Sequence, residues 1–424
     1  MPVTAVLSSW LSRRPERRAS VLGRGLLLPA LLVAGCGGGG GGGSAGAGGG
    51  SHGSGNGSSS SHSAPAARLT IAPVSGRTDT RPNRGITVKA AGGKIISVVV
   101  HGGGERASGK LNATGTRWHS AWALNVSAHY TVVATAVGTD GRQVTRTSSF
   151  RTLTPTQSFD TRIIEGSGQS YGVGMPIILY FSRPIVDRAA VERSLEVRTS
   201  KPVVGSWYWD SQCGTAPMCL YFRPKHYWAP HTRVSFTGHL NGVEVAPGVY
   251  GHHTLTQRFT IGGSLIVVAT TAGHYMKVIK DGKLFARWPI SSGRPGDDTP
   301  DGNYLTIEKA NPADMVGPGY NIQVPWSVRF TFSGDYLHDA YWSVGDQGFT
   351  NVSHGCVNMS PANAETYYKM AVPGDPVKIV GSPRAGDWDN GWTMWFLSWR
   401  HWLHGSALHS YVRAGRHGSR FVRI

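Results

Sequence analysis

The chain of 424 residues has few cysteines, few acidic residues and no long apolar run. Its four Cys do not form the two spaced pairs typical of a structural zinc site. No apolar run approaches the ~20 residues that a membrane-spanning helix needs. The 58 Gly follow no Gly-X-Y period, which excludes a collagen-like fibre. A hydrophobic content of 40% excludes wholesale disorder and, at this length, predicts two to four domains.

The formal net charge of +18 is unevenly distributed. Residues 69–262 carry 21 Lys and Arg against 10 Asp and Glu, whereas residues 263–383 carry 9 against 11. A nucleic-acid-binding domain would show a basic face. Residues 263–383, which contain the candidate catalytic residues described below, are instead slightly acidic. We therefore expect no nucleic-acid partner. The basic region is expected to lie along anionic polymers or lipid headgroups.

The first 36 residues have the pattern of an export signal. Several Arg precede an apolar run from Leu26 to Ala34, which is too short to span a bilayer. The run ends in Leu32-Val33-Ala34-Gly35-Cys36, which resembles the bacterial lipobox, whose Cys becomes the lipidated first residue of the mature protein. An ordinary signal that happens to precede a Cys is the alternative. The pair Arg13-Arg14 leaves open whether export uses the Sec or the twin-arginine route.

Residues 37–66 contain almost only Gly, Ser, Ala and His, and therefore predict a flexible tether. With Cys36 lipidated, the tether would hold the folded domains outside the membrane. We expect the protein to be exported and anchored to the outer face of the cytoplasmic membrane.

Two β-rich modules follow, at residues 67–154 and 155–262, where short alternating runs punctuated by Gly predict small β-sandwiches. One helical pattern, Val186 to Leu195, interrupts the second module. Cys213 and Cys219 flank a turn there, and in an oxidising compartment they are expected to form a disulfide. Two unpaired Cys are the alternative.

Residues 263–383 form a different, mainly β region. The turn at Lys280–Lys283 between two alternating runs predicts a hairpin. A short helix is expected after Ser360, with Ser360 as its cap and Pro361 at its first position. Residues 384–424 form a Trp-rich and basic extension.

The remaining cysteine, Cys356, is the candidate nucleophile. A thiol needs a base or a cationic neighbour to react near neutral pH, and His338 lies eighteen residues upstream. Gly355 leaves nearby backbone N–H groups approachable, as an oxyanion site requires. These residues predict thiol acyl transfer. A zinc site made of His338, His354 and Cys356 is the weaker alternative, because no second spaced ligand pair appears.

The segment Ser353-His354-Gly355-Cys356-Val357-Asn358, with an upstream His-x-x-x-Trp and Gly-Tyr, resembles the L,D-transpeptidase catalytic domain of bacterial cell walls. Tyr171–Pro176 and Arg223–Trp228 look like the Ig-like domain that precedes it in actinobacterial lipoprotein members. The resemblance implies two Ig-like β-sandwich modules followed by a β-sandwich catalytic domain, with Cys and His on neighbouring strands.

The resemblance also assigns roles to residues. Cys356 matches the nucleophile and His338 the general base, while His354 helps shape the site. Gly355 and Cys356 would supply oxyanion N–H groups. The remaining matches line the substrate site or organise its loop: Tyr320, Trp342, Ser353 and Asn358. Tyr320 as a core residue, His354 as a packing residue and Asn358 as a structural hydrogen-bonder are the alternatives.

The implied reaction joins two peptidoglycan stem peptides. The thiolate attacks the third residue of a donor tetrapeptide, D-Ala leaves, and an acceptor stem amine resolves the thioacyl-enzyme into a link between two third-position diaminopimelates. Carbapenems would acylate the same thiol. No cofactor or metal is implied, and a monomer is expected. A carboxypeptidase or hydrolase of the same fold and a non-catalytic wall-binding lipoprotein are the alternatives.

Three features depart from the simple pattern. Asp339 stands where the best-known members carry Ser, and a carboxylate near His338 could raise the pKa of that His, an effect that the sequence leaves open. The segment between Asp301 and Tyr320 is shorter than the usual lid. Four tryptophans of the extension have the spacing of one helical face: Trp392, Trp395, Trp399 and Trp402. Such a helix is expected to pack on the catalytic domain; a helix that lies in the membrane interface is the alternative. The basic end from Arg413 to Arg423 is expected to be a solvated tail.

Overall fold

The computed structural model describes residues 66–104, 107–317 and 319–424. These residues form a mainly β structure of two modules and a catalytic region, each with a hydrophobic core. The predicted signal, Cys36 and almost all of the tether lie outside the described residues. Every helix in the described ranges falls short of the length and apolar character needed to cross a bilayer.

The first module consists of two antiparallel sheets, in the orders β1-β2-β5-β4 and β3-β6-β7. Its strands are β1 (Arg68–Ala72), β2 (Thr87–Ala91), β3 (Gly93–Gly102), β4 (Gly109–Leu111), β5 (Arg117–Ser120), β6 (His129–Gly138) and β7 (Gln143–Arg151). Alternation along β6 buries every second side chain, from Tyr130 to Ala136. The period of two seen in the sequence therefore places one face of this strand in the core.

The second module contains the strands from β8 to β18 and one helix. They are β8 (Gln157–Phe159), β9 (Thr161–Ile163), β10 (Ser170–Tyr171), β11 (Ile177–Phe181), α1 (Arg188–Arg193), β12 (Leu195–Thr199), β13 (Val203–Asp210), β14 (Met218–Pro224), β15 (Arg233–Gly238), β16 (Glu244–Ala246), β17 (Val249–Gly251) and β18 (Leu255–Ile261). The helix begins where Asp187 accepts a hydrogen bond from the Ala190 N–H, 2.8 Å. Cys213 and Cys219 form a disulfide.

The catalytic region combines a five-stranded sheet, β21-β20-β19-β29-β22, with a four-stranded sheet, β23-β26-β27-β28. Its elements are β19 (Leu265–Thr270), β20 (Tyr275–Lys280), β21 (Lys283–Pro289), β22 (Gly302–Leu305), β23 (Glu308–Ala310), β24 (Ala313–Gly317), β25 (Tyr320–Val324), β26 (Ser327–Arg329), β27 (Tyr336–Asp339), β28 (Val357–Met359), α2 (Pro361–Met370) and β29 (Pro376–Val380). The predicted hairpin and helix both form. Ser360 holds the cap position of α2 without a side-chain cap hydrogen bond.

The C-terminal extension differs from the prediction. The four tryptophans do not share one helix, because the only α-helix there is α3 (Trp399–Leu403), and it follows a short 3-10 turn and an extended Leu397. The indole N–H of Trp402 donates to the Ser206 carbonyl (2.9 Å), and that of Trp395 to the Gly174 carbonyl (2.8 Å). Both carbonyls belong to the second module, so the segment packs there as well as on the catalytic region.

The expectation of a solvated basic tail is also wrong. The chain ends in a hairpin, β30 (Ser410–Gly415) and β31 (Gly418–Arg423), and β30 pairs with β13 of the second module. Val412 and Ala414 are buried while Arg413 between them is exposed, which is the alternation of a strand. The many basic residues of this segment hide that alternation in the sequence. The resulting six-stranded sheet has the order β31-β30-β13-β14-β11-β9.

A buried carboxylate fixes this junction. Glu192 in α1 is fully buried and accepts hydrogen bonds from the Trp209 indole (2.7 Å), the Ser406 hydroxyl (2.7 Å) and the Ala407 N–H (2.6 Å). Three donors satisfy the carboxylate, as a buried charged group requires. The second module and the C-terminal segment are thereby held as one packed unit.

Candidate active site

Two neighbouring strands bring the candidate nucleophile and base to one face of a sheet. β27 and β28 pair in parallel, with His338 opposite Asn358. Cys356 lies two residues before Asn358, and its Sγ accepts a hydrogen bond from the Tyr336 N–H, 3.4 Å. Because side chains alternate along strands, Cys356 and Asn358 share a face with Tyr336 and His338. The nucleophile and the base are therefore diagonal neighbours, as the resemblance implied.

His338 is oriented by the backbone of the next residue. Its Nδ1 lies 2.7 Å from the Asp339 carbonyl oxygen, which can only accept, so Nδ1 carries the proton and Nε2 presents a lone pair. Burial lowers the pKa of His338 to about 4, although this hydrogen bond opposes the shift. The Asp339 carboxylate, whose effect the sequence leaves open, does not raise this pKa above its usual value, because desolvation dominates.

Cys356 is a free thiol in a half-buried residue. Burial, together with the nearby Asp335 carboxylate, raises the pKa of its thiol to about 12, and the hydrogen bond from the Tyr336 N–H opposes the shift. The resting pair is therefore a neutral thiol beside a neutral imidazole. The neutral imidazole offers its Nε2 lone pair as a proton acceptor, which is what a general base requires.

Asp335 is a residue that the sequence analysis missed. It is buried and accepts hydrogen bonds from the hydroxyls of Thr331 (2.7 Å) and Ser333 (3.2 Å). The signal in the sequence was slight, a Thr-x-Ser-x-Asp run just before the candidate base. Its position beside Cys356 makes it an electrostatic neighbour of the nucleophile.

The loop before the nucleophile is held by hydroxyl groups. The buried Thr299, also missed from the sequence, accepts from the Gly293 N–H (2.9 Å) and donates to the Gly355 carbonyl (2.7 Å). Ser353 donates from Oγ to the Cys356 carbonyl (2.7 Å) and accepts from the Gly355 N–H (3.2 Å). The Gly355 N–H, an expected oxyanion donor, is thus engaged within the loop.

Gly355 has a conformation that other residues resist. Its φ is +125°, and a Cβ added there would lie 2.4 Å from Oδ1 of Asp335. Gly355→Ala is therefore expected to shift the loop and to lower the acylation rate of Cys356 by about 100-fold, the scale of a misplaced reacting group. Stopped-flow acylation by a carbapenem would measure it.

Gly345→Ala is the matched control for that substitution. Gly345 has no positive φ, and an added Cβ would meet nothing within 4 Å. It should acylate at the wild-type rate. The melting temperatures of both variants are compared, so that a loss of folding is not mistaken for a loss of rate. An acylation rate of Gly355→Ala within about threefold of wild type would contradict the steric argument.

The other predicted residues surround this centre. Tyr320 starts β25 and its ring lies 5.2 Å from that of the exposed His354. The half-exposed Trp342 stacks 6.0 Å from His338. Asn358 donates from Nδ2 to Oγ of Ser343, 3.0 Å, in the short helix that carries Trp342. Asn358 therefore connects β28 to the short helix with Trp342, which flanks His338. Tyr320 and His354 form a second aromatic pair of the site.

Elsewhere in the described ranges, one group of three side chains is close enough together to hold a metal ion. Asp160, His252 and His253 have ligand atoms within 4.8 Å of one another, in the second module. His338, His354 and Cys356 do not belong to it. The chemistry of the candidate site is that of a thiol and an imidazole.

Comparison with known proteins identifies the family. Residues 263–379 match a model of the L,D-transpeptidase catalytic domain, and residues 77–244 match a bacterial Ig domain. L,D-transpeptidase 2 of Mycobacterium tuberculosis is 31% identical over 347 residues, which cover 77% of this chain and 84% of that protein. The chain belongs to the L,D-transpeptidase family. Its Ig-like match extends across both β-modules.

Other relatives of this L,D-transpeptidase agree. L,D-transpeptidase 5 of M. tuberculosis is 33% identical over 355 residues, covering 81% of this chain and 78% of that protein. A solved structure of an L,D-transpeptidase in complex with imipenem is 33% identical and covers 53% of this chain and 100% of that chain, with a TM-score of 0.44. The match to the catalytic-domain model and the two named relatives show that the chain is an enzyme of the acyltransferase type.

Proposed function

We propose that this protein is a cysteine-dependent peptidoglycan transpeptidase that links the third-position diaminopimelates of two stem peptides. The observation that carries the proposal is the free thiol of Cys356 beside His338, whose Nδ1–H is held by the Asp339 carbonyl. Family membership supplies the substrate class, because L,D-transpeptidases act on peptide stems of peptidoglycan.

The first half-reaction forms a thioester. Sγ of Cys356 attacks the carbonyl carbon of the third donor residue while its proton passes to Nε2 of His338. When the tetrahedral intermediate collapses, the bond to the terminal D-Ala breaks and His338 returns the proton to the leaving amine. The neutral imidazole required for the first transfer is the form that burial favours.

The second half-reaction releases the product. The side-chain amine of an acceptor diaminopimelate attacks the thioester carbonyl, and His338 accepts the amine proton. The C–S bond then breaks, and the Cys356 sulfur recovers a proton from His338. In this proposal Tyr320, Trp342 and His354 flank the stem peptides, and Asn358 and Ser353 hold the loop between them; the ring contacts and hydrogen bonds of these residues support it.

Purified tetrapeptide stems would test the reaction. Mass spectrometry should detect release of D-Ala together with a stem dimer linked through the two third residues. Release of D-Ala without any dimer would instead favour a carboxypeptidase, in which water resolves the thioester. Absence of both products would favour the wall-binding alternative.

We also propose that the protein is exported and anchored to the outer face of the cytoplasmic membrane through lipidated Cys36. The lipobox-like run and the Gly-rich segment after it support this proposal. Cys36→Ser is expected to move the protein from the membrane fraction to the soluble fraction, because a lipid chain contributes about 0.8 kcal/mol per buried CH₂. Fractionation with Ser44→Ala as the control would measure it. Unchanged membrane retention would contradict the anchor.

A further inference from the structure

The outer face of one sheet in the second module presents three arginines in a fixed pattern. In the sheet of order β10-β18-β15-β12, Ser235 lies opposite both Arg198 and Arg258, and Arg233 lies opposite Thr260. The residues that alternate with them, such as Val234 and Phe259, are buried in the module core. The strand period therefore directs all three guanidinium groups to solvent on one face.

The C-terminal hairpin adds a fourth arginine. Arg416, in the turn between β30 and β31, donates from Nε to the Ser200 carbonyl, 3.3 Å, at the edge of this face. Together the four arginines line a groove of about 530 Å³. The hairpin overlooked in the sequence thus contributes to a surface built from distant parts of the chain.

The charge of this groove is largely uncompensated. Its lining contains no Asp or Glu. Among the residues that the structure describes, Arg198 alone of the four forms an ion pair, with Glu196 at 3.1 Å, and that pair is half-exposed. The lining also includes the hydroxyl-bearing residues Ser200, Ser235 and Thr260. Guanidinium and hydroxyl donors together suit phosphate oxygens, which guanidinium binds in a bidentate manner.

The spacing favours a chain of anionic groups over a single ion. Neighbouring strands lie about 4.8 Å apart and alternate residues of a strand about 6.7 Å apart, so the Cα atoms of Arg198, Arg233 and Arg258 are roughly 8–10 Å from one another. Arginines anchored at such intervals can contact several phosphates of an extended polymer at once. A polymer can therefore make more of these contacts than a single phosphate can.

We propose that this four-arginine face, defined by Arg198, Arg233, Arg258 and Arg416, binds an extended phosphate-bearing polymer. Such binding would retain the enzyme along an anionic polymer while Cys356 acts on peptide stems. It requires none of the residues of the catalytic site, so it stands or falls independently of the proposed reaction.

The test uses the full chain and fluorescently labelled long-chain polyphosphate. Arg233→Gln/Arg258→Gln/Arg416→Gln is compared with the charge-matched Arg142→Gln/Arg146→Gln/Arg151→Gln, whose arginines are exposed on the first module. Fluorescence anisotropy at 0.15 M salt should show affinity reduced at least tenfold in the first variant and less than twofold in the second. The slope of log affinity against log salt should fall by about 2–3 in the first variant only, since each lost phosphate contact removes about one unit.

Three further arms separate the sources of phosphate. Inorganic phosphate at equal phosphate concentration should compete weakly; full competition would overturn the polymer assignment in favour of a single-ion site. Equal loss in the two triple variants, or no binding by wild type, would overturn the site. Binding to vesicles containing phosphatidylglycerol that depends on the three arginines, without polyphosphate binding, would assign the face to a membrane instead. Stem cross-linking by the first variant should equal wild type, which shows that the enzyme is folded.

Discussion

Replacing Cys356 by alanine is expected to abolish both stem cross-linking and the carbapenem adduct. Cys356 is the only free cysteine in the described part of the chain, because Cys213 and Cys219 are joined in a disulfide. Loss of a nucleophile from a covalent mechanism typically lowers turnover by about four to six orders of magnitude. Intact-mass spectrometry of wild type after incubation with imipenem should detect a single adduct, and the variant none.

A second variant and the melting temperatures distinguish loss of the nucleophile from loss of folding. Cys356→Ser keeps the size of the side chain, yet a hydroxyl is a poorer nucleophile than a thiol, so it too should form no adduct within the time in which wild type is fully acylated. Both variants should keep the wild-type melting temperature, since the hydrogen bonds of Sγ are long: it accepts from the Tyr336 N–H at 3.4 Å and donates to the Gly334 carbonyl at 3.9 Å. An adduct on Cys356→Ala, or undiminished cross-linking, would contradict the assignment of the nucleophile.

The β architecture was predictable because its strands alternate. Burial alternates along β6 and β19, in agreement with the predicted β-rich regions, and the hairpin between β20 and β21 follows from Asp281-Gly282. The tail was not predictable in the same way. Tryptophan spacing suggested one helix, but the indoles of Trp395 and Trp402 donate to separate carbonyls in the second module, and Trp402 also stacks on Tyr208. Tertiary packing overrode the local period.

The catalytic pair could be inferred from the sequence, but its electrostatics could not. The Ser-His-Gly-Cys motif led to Cys356, and the upstream His-x-x-x-Trp to His338. Thr299 and Asp335 are distant in sequence from the nucleophile loop, and only the fold brings them to Gly355 and Cys356. The effect of Asp339 on His338 was open for a similar reason, since the degree of burial is a property of the folded chain.

His338→Gln is expected to slow acylation of Cys356 by about 10²–10⁴-fold, the usual contribution of a positioned general base. Because burial lowers the pKa of His338 to about 4, the imidazole is neutral throughout pH 6–8. The wild-type acylation rate should therefore be flat across that range and fall only as the pH approaches 4.

A pKa lowered by folding also makes the native state bind fewer protons, so the stability that the neutral His338 contributes is present above about pH 6.5 and is lost as the pH falls through about 4.

The pH profile distinguishes the base from an ion-pair partner. A preformed thiolate–imidazolium pair would give a rate that rises with thiol ionisation and falls as the imidazolium loses its proton, and burial of both groups opposes that state. His354→Asn serves as the matched control, because His354 is exposed and its ring lies beside that of Tyr320, at 5.2 Å. It should keep the flat profile with a much smaller loss of rate. A midpoint near pH 6.5 in wild type, measured where circular dichroism shows the fold intact, would contradict the buried neutral base.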